Sequence, residues 1–260
     1  MQPYKPKVKA PNPEEIRTIT QILEKNALNT VCEAAACPNR SECYARKSAT
    51  FMILGNTCTR ACKFCNVATG KPLPPDPTEP DRLAASVKQL GLAYVVVTSV
   101  DRDDLKDYGA GHFARCVEAI RRASPKTRIE LLTPDCKADP RALDTILASA
   151  PDKLAHNQET VRRLSKTVRP QSDYDRSLKT LAYYAAHTSV PVKSSLMLGL
   201  GETKAEIIET LYELLDAGVT QLTLGQYLQP SPRHHPVMHY YPQEFFDEMK
   251  TIALEMGFEA

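Results

Sequence analysis

The chain has 260 residues, of which 42% are hydrophobic and 25% charged. That length supports one large core or two small ones, and the composition is that of a soluble globular protein. Lys plus Arg number 33 and Asp plus Glu 31, for a formal charge of +2, which argues against a general polyanion binder. No apolar run approaches the roughly 18 residues of a membrane span, so neither nucleic acid nor membrane is expected as a partner. The opening MQPYKPKVKAP has no apolar core of a secretory signal, and a cytoplasmic location is expected.

Residues 1–12, rich in Lys and Pro, read as an extended arm. Residues 14–28 carry Ile16, Ile19, Ile22 and Leu23 at helical spacing. FMIL at 51–54 fits a buried strand, and the Pro-rich KPLPPDPTEP at 71–80 a linker. From there strands and helices alternate. A helix ending at Gly91 precedes a strand at 93–98. A helix in HFARCVEAIRRAS precedes a strand in RIELLTP, and PRALDTILAS precedes the short strand KLAHN. YDRSLKTLAYYAAHT, VPVKSSLML, KAEIIETLYELLDAG and VTQLTLG continue the rhythm, and PQEFFDEMKTIALEMGF closes it. Counting FMIL, six strands are expected, with βα units and a parallel sheet. Six such units make an open sheet or an incomplete barrel, and either collects chemistry at the carboxyl ends of its strands. Cys58, Cys62 and Cys65, Thr98-Ser99, His156-Asn157, Gly199–Glu202 and Gln226 are all expected at or just past such ends.

Six of the eight cysteines fall within 34 residues. Cys32, Cys37 and Cys43 have the spacing C-x4-C-x5-C, and Cys58, Cys62 and Cys65 the spacing C-x3-C-x2-C. Thiolates so close in sequence can converge on a metal or cluster. Three per group leave one position for another ligand. Iron–sulfur clusters, structural zinc, and reduced or disulfide-bonded cysteines all remain open on spacing alone. Cys116, in an apolar helical pattern, and Cys136, after IELLTP, read as structural thiols.

CTRACKFC at 58–65 resembles the cluster motif of the radical S-adenosylmethionine (SAM) enzymes. Within them, several segments resemble the lipoyl synthase family: TVCEAAACPNRSEC (30–43), ATFMILGNTCTRACKFCNVATGKP (49–72), TSVDRDDL (98–105), GAGHFA (109–114), AHNQETV (155–161), KSSLMLGLGET (193–203) and LTLGQYLQPSPRHHPV (222–237). The likeness covers about residues 30–258. It implies a partial (β/α)6 TIM-like barrel at 49–260 with a cysteine-rich N-terminal extension at 1–48. It implies that Cys58, Cys62 and Cys65 hold the catalytic [4Fe-4S] cluster that cleaves SAM to a 5′-deoxyadenosyl radical. Cys32, Cys37 and Cys43 would hold a second [4Fe-4S] cluster that supplies sulfur. The implied reaction inserts sulfur at C6 and C8 of an octanoyl chain on a lysine of a lipoyl carrier domain. The carrier would be the glycine-cleavage H protein or a 2-oxoacid dehydrogenase E2 domain, and a ferredoxin or flavodoxin would supply electrons to a monomeric enzyme. An unactivated C–H bond gives no purchase to an acid–base pair, so a radical abstractor is the reagent required.

Two departures from the family are visible. Tyr44 stands where the family commonly has Trp. The chain ends at GFEA (257–260), where an Arg-Ser-Ser-Tyr segment bearing a further ligand to the second cluster is expected, so that the C-terminal tail reads as missing. For SAM binding the candidates are Asn157, Lys193, Gly199, Gly201 and Glu202. Their ordinary alternatives are loop capping, a rim ion pair and a strand-to-helix turn. Asp101, Asp103 and Asp104 suggest turn formation or substrate-side hydrogen bonding. His234 and His235 are expected to point apart, and Tyr240 and Tyr241 to pack the last helix. Other enzymes of the superfamily that insert sulfur or transfer methylthio groups, and a non-catalytic iron–sulfur carrier, are the alternatives.

Overall fold

The computed structural model describes residues 13–31, 43 and 48–259. Cys32, Cys37 and Tyr44 lie outside the described residues. The chain falls into two compact units, the first reaching to Thr59 and resuming over Asn66–Lys153, the second comprising Arg60–Cys65 and the chain from Leu154 onward.

The first unit contains α1 (Pro13–Lys25), β1 (Asn29–Thr30), β2 (Ser48–Ile53), β3 (Thr57–Cys58), β4 (Ala68–Thr69), α2 (Glu79–Leu90), β5 (Tyr94–Ser99), α3 (Ala110–Ala123), β6 (Arg128–Leu132) and α4 (Pro140–Ala148). β1 runs antiparallel to β2, while β2–β5 and β5–β6 are parallel. Parallel neighbours need a crossover, and α2 and α3 supply it. Local sequence sets the ends of α2 and the start of α4. Acidic Glu79 and Asp81 and the early Pro80 open α2, and Gly91, left-handed at φ 58°, closes it. Asp139 caps α4 by accepting from the Arg141 amide, with Pro140 next in line. Phe51, Ile53, Val95, Val97, Ile129 and Leu131 of the strands are buried with Leu83, Val87, Phe113 and Ile120 of the helices. Each contributes about 1.5–3 kcal/mol of transfer free energy. Cys116 and Cys136 are among the buried residues, and burial pushes the Cys116 thiol up, away from the reactive thiolate.

The chain leaving β6 adopts a backbone that its sequence does not announce. Cys136, Lys137 and Ala138 are all left-handed, at φ 43°, 54° and 53°. Each costs about 1–2 kcal/mol for a residue with a Cβ. The turn is held by Asp135, whose side chain accepts from the Lys137 amide at 3.0 Å, and by the ion pair between Lys137 Nζ and Asp103 at 3.3 Å. Ala138→Gly is therefore expected to stabilise the protein, by about 0.5–1 kcal/mol after the entropy of the added glycine is counted. Denaturant melts of the two proteins measure this.

The second unit contains β7 (Lys153–Ala155), α5 (Arg162–Val168), α6 (Tyr174–His187), β8 (Val192–Leu198), α7 (Lys204–Asp216), β9 (Gln221–Gln226) and α8 (Gln243–Met256). β7–β8 and β8–β9 are parallel. Asp173 caps α6, and Thr203 with Glu206 forms a reciprocal capping box at α7. Tyr241 stacks on Phe245 of α8 with ring centroids 4.1 Å apart.

The six expected strands correspond to β2, β5, β6, β7, β8 and β9, each followed by a helix, so the fold is α/β with mainly parallel strand pairing. Helix α5 and the short strands β1, β3 and β4 were not expected. No helix among the described residues is long and apolar enough to cross a membrane.

Candidate functional site

Among the described residues the expected site segments sit at the carboxyl ends of their strands, except Lys193, which lies near the start of β8. Asn157 follows β7, Gly199–Glu202 follows β8, Gln226 ends β9 and Ser99 ends β5. The cysteine loop follows β2.

In the first unit the start of that loop is fastened at three points. The first is Leu54, left-handed at φ 67°. Its N–H donates to Glu79 Oε2 at 2.9 Å, and its carbonyl accepts from Arg102 Nη1 at 3.3 Å. Glu79 and Arg102 are both buried, and each has a polar side-chain partner in turn. His112 Nε2 lies 2.6 Å from Glu79 Oε2, and Asp104 takes a two-pronged hydrogen bond from Arg102 at 2.9 and 2.8 Å. The guanidinium holds the Asp104 carboxyl below its usual range. Gly109 passes so close that a Cβ there would overlap the Leu54 side chain.

The second point is Thr59. Its amide and hydroxyl both donate to Asp101 O, at 3.0 and 2.9 Å, and its hydroxyl accepts from the Asp103 amide at 3.1 Å. The third is Cys58 itself. It sits in the β3–β4 pair, its carbonyl accepts from Gly70 N at 3.0 Å, and its sulfur accepts from the Asp101 amide at 3.3 Å. Asp101–Asp104 thus form a template for the approach to Cys58, a more specific task than the turn formation expected for those aspartates.

In the second unit the rest of the loop, Arg60–Cys65, is gripped from two sides. Lys63 N donates to Val168 O at 2.8 Å, Ala61 N donates to Gln171 Oε1, and buried Arg60 lies 3.5 Å from Ser172 Oγ. These partners come from the end of α5 and the turn after it. On the other side His235 N donates to Lys63 O at 2.8 Å, and His234 Nε2 lies 3.1 Å from Cys65 O. Cys65 N closes a turn on Cys62 O at 3.1 Å. Cys43, Cys58, Cys62 and Cys65 are half-buried thiols. Soft thiols of this kind, spaced by three and two residues and borne on a held backbone, are the donor set that suits iron–sulfur ligation. Among the described residues no three His, Cys, Asp or Glu side chains converge on a point for a single ion.

The SAM-binding candidates all lie in the second unit, and several are engaged locally. Glu202 is buried, with Leu200 N donating to its Oε2 at 2.9 Å and Gly199 N donating to Oε1. Gly199, at φ 105°, accepts Met238 N at 2.8 Å, and a Cβ there would overlap the His239 carbonyl. That position therefore requires glycine. Gly201, at φ 111°, offers its carbonyl to Arg163 Nη2 at 2.8 Å. Asn157 Nδ2 donates to Glu159 Oε1 at 3.2 Å, and buried Arg169 donates to the Asn157 and Gln158 carbonyls at 3.4 and 3.0 Å. Lys193 shares the less buried face of β8 with Ser195 and Met197, opposite the buried Val192, Ser194 and Leu196.

Glu79, Arg102, His112 and His234 are supporting residues that went without a role in the sequence. Three of them lie in resembling segments: Arg102 in TSVDRDDL, His112 in GAGHFA and His234 in PSPRHHPV. A polar residue inside such a segment, without an assigned task, was the available signal.

Comparison with known proteins places these features in a class. Residues 52–214 match the Radical SAM superfamily. Solved structures of such fold share the architecture at low sequence identity. The hydrogenase maturase HydG superposes with a TM-score of 0.61 at 18% identity, over 95% of this chain and 65% of its own. Methylornithine synthase gives 0.59 at 14%, over 95% and 72%. Coproporphyrinogen III oxidase of Escherichia coli, a radical SAM enzyme, gives 0.56 at 14%, over 80% and 52%. The chain is thus a radical SAM enzyme, to which a [4Fe-4S] cluster and SAM belong. Two relatives narrow the class. Lipoyl synthase of Tolumonas auensis is 54% identical over 247 residues, 94% of this chain and 77% of the relative. Lipoyl synthase of Yersinia pestis is 52% identical over 255 residues, 97% and 79%. The chain belongs to the lipoyl synthase family, and its activity is radical SAM sulfur insertion.

Proposed function

We propose that Cys58, Cys62 and Cys65 hold the [4Fe-4S] cluster, and that a three-thiolate ligand set leaves one iron open to SAM. The observation that carries this is the fastening of the loop on both sides of the motif, by Asp101–Asp104 before it and by α5 and His234–His235 within it. When bound, the cluster supplies the electron that cleaves SAM, and the protein's part is orientation and exclusion of water. Asn157, Lys193, Gly199 and Gly201 contact SAM. Glu202, with both carboxylate oxygens engaged by Gly199 and Leu200, serves by holding the loop in shape. Cys32, Cys37 and Cys43 hold a second [4Fe-4S] cluster, the sulfur donor, on an extension over residues 1–48, beside a catalytic domain at 49–260.

The substrate is an octanoyl chain on a lysine of a lipoyl carrier domain, either the glycine-cleavage H protein or a 2-oxoacid dehydrogenase E2 domain. Each apolar methylene adds about 0.8 kcal/mol of binding, which cannot by itself select C6 and C8. Fixed distances along the cleft make that selection. One hydrogen is abstracted at each carbon, so two SAM are consumed per lipoyl group. The enzyme works as a monomer in the cytoplasm, where thiols stay reduced, with a ferredoxin or flavodoxin as reductant.

Mass spectrometry of an octanoyl-lysine peptide tests the substrate. The anaerobically reconstituted chain is used as it stands and with a family C-terminal segment appended. The expected product has gained two sulfurs and lost two hydrogens. Formation of 5′-deoxyadenosine by both proteins, without any sulfur-containing peptide or carrier domain, would refute the substrate assignment.

A further inference from the structure

His234 lies between β9 and α8, and both edges of its ring are engaged. On one edge, Nδ1 is 2.8 Å from Ser231 Oγ. The turn bearing it is tied by His234 N donating to Ser231 O at 3.0 Å and Gln229 Nε2 donating to His234 O at 3.0 Å. On the other edge, Nε2 reaches the Cys65 carbonyl at 3.1 Å, 169 residues away in sequence. A carbonyl only accepts, so Nε2 carries a proton and donates it. The neighbouring His235 turns the opposite way, placing Nε2 2.9 Å from Leu200 O while its own amide donates to Lys63 O. One dipeptide therefore holds two carbonyls of the cysteine loop, Lys63 and Cys65. The carbonyl just before them, that of Cys62, is satisfied within the loop by Cys65 N.

We propose that His234 is a positioning residue for the SAM-cleaving cluster. Its imidazole, fixed in rotation by Ser231, pins the Cys65 peptide and so sets the direction in which the third thiolate of the motif projects. This rests on the reading that Cys58, Cys62 and Cys65 hold the cluster. The physical reason is preorganisation. A cysteine on a short loop has two side-chain torsions and a mobile peptide to settle before it can ligate, and a donor on its carbonyl removes the peptide from that list. His234 is only half-buried, so its task is not to fill a core. The Ser231 hydroxyl at Nδ1 orients the ring. His234 touches neither SAM nor the reacting carbon and acts solely through Cys65.

The test uses the 260-residue chain with Cys32, Cys37 and Cys43 replaced by Ala, so that only iron held by the second triplet is read. His234→Ala, His234→Gln, His234→Asn and Ser231→Ala are compared for the rate of iron release to a chelator and for the reduction potential of the cluster. Loss of a supporting hydrogen bond at a metal site typically costs about 10–100-fold, so release from His234→Ala is expected to be at least about tenfold faster. Gln places its amide nitrogen where Nε2 of histidine sits, and is expected to restore both rate and potential to near the wild-type values. Asn places its nitrogen where Nδ1 sits, too short to reach Cys65 O, and is expected to behave as Ala. Ser231→Ala, which frees the ring, is expected to fall between. Thermal melts are expected to be the same for all five proteins before iron is added. Wild-type release rates in His234→Ala, or equal rescue by Gln and Asn, would overturn the proposal. A chain with His234 intact that takes up no iron through Cys58, Cys62 and Cys65 would instead refute the ligand assignment, and the proposal with it.

Discussion

Replacing Cys58, Cys62 and Cys65 together by alanine is expected to abolish 5′-deoxyadenosine formation and to remove about four irons per chain after anaerobic reconstitution. The loss should exceed the roughly 10–100-fold that a supporting residue accounts for, because no other soft donor set in the motif can replace three ligands. Single replacements are expected to be nearly as damaging as the triple one, since the ligands act as a unit. Cys116→Ala is the control. Its thiol is buried in α3, away from the motif in sequence, and burial disfavours its thiolate, so iron content and turnover should be unchanged. Cleavage assays under a strong reductant, with iron and sulfide analysis, decide the matter. Unaltered turnover in the triple variant would remove these cysteines from the chemistry.

The second large effect is expected at Glu79. Glu79 and His112 have side chains only 6% and 2% exposed and lie 2.6 Å apart. Glu79 also accepts the Leu54 amide, and His112 Nδ1 lies 3.1 Å from Arg115 Nη2. Glu79→Ala leaves a buried amide without its acceptor and a buried imidazole without its partner. Removing one member of a buried pair costs about 3–5 kcal/mol. At roughly 2–4 °C per kcal/mol for a chain of this size, the melting temperature should drop by about 6–20 °C. Glu79→Gln keeps an acceptor for Leu54 N and should cost less than half as much. A melting temperature for Glu79→Ala within about 2 °C of wild type would show that the pair is not what holds Leu54. Since Leu54 is four residues before Cys58, the alanine variant should also bind iron less tightly at temperatures where it remains folded.

The sequence alone determined the rhythm of the fold. Alternation of apolar strands with amphipathic helices is a local property, written in side-chain periodicity, and it specified the six parallel strands to within two or three residues. The cysteine spacings pointed to soft ligands grouped in two triplets, and the wider pattern of segments determined the family. The contact of Tyr241 with Phe245 of the last helix and the divergence of the neighbouring His234 and His235 were also legible.

What the sequence did not determine lies where distant segments meet. Helix α5 is seven residues long and has no side-chain cap. Its only local sign was Val161, Leu164 and Val168 at helical spacing, too short a run to stand above noise. Its importance comes from the Val168 carbonyl, which holds Lys63 across more than a hundred residues of chain. The left-handed turn at Cys136–Ala138 contains no glycine, so no residue marks it. A local hydrogen bond to Asp135 and the ion pair to distant Asp103 hold it against local preference. Glu79 read as part of the Pro-rich linker at 71–80, and only folding revealed that it opens α2 and reaches Leu54 and His112. Side-chain periodicity reports which face is buried. It does not report which buried polar atoms find one another, because hydrogen-bond partners are chosen by three-dimensional proximity. The tertiary structure therefore decided how the cysteine loop is held, while the sequence had already singled that loop out by its motif.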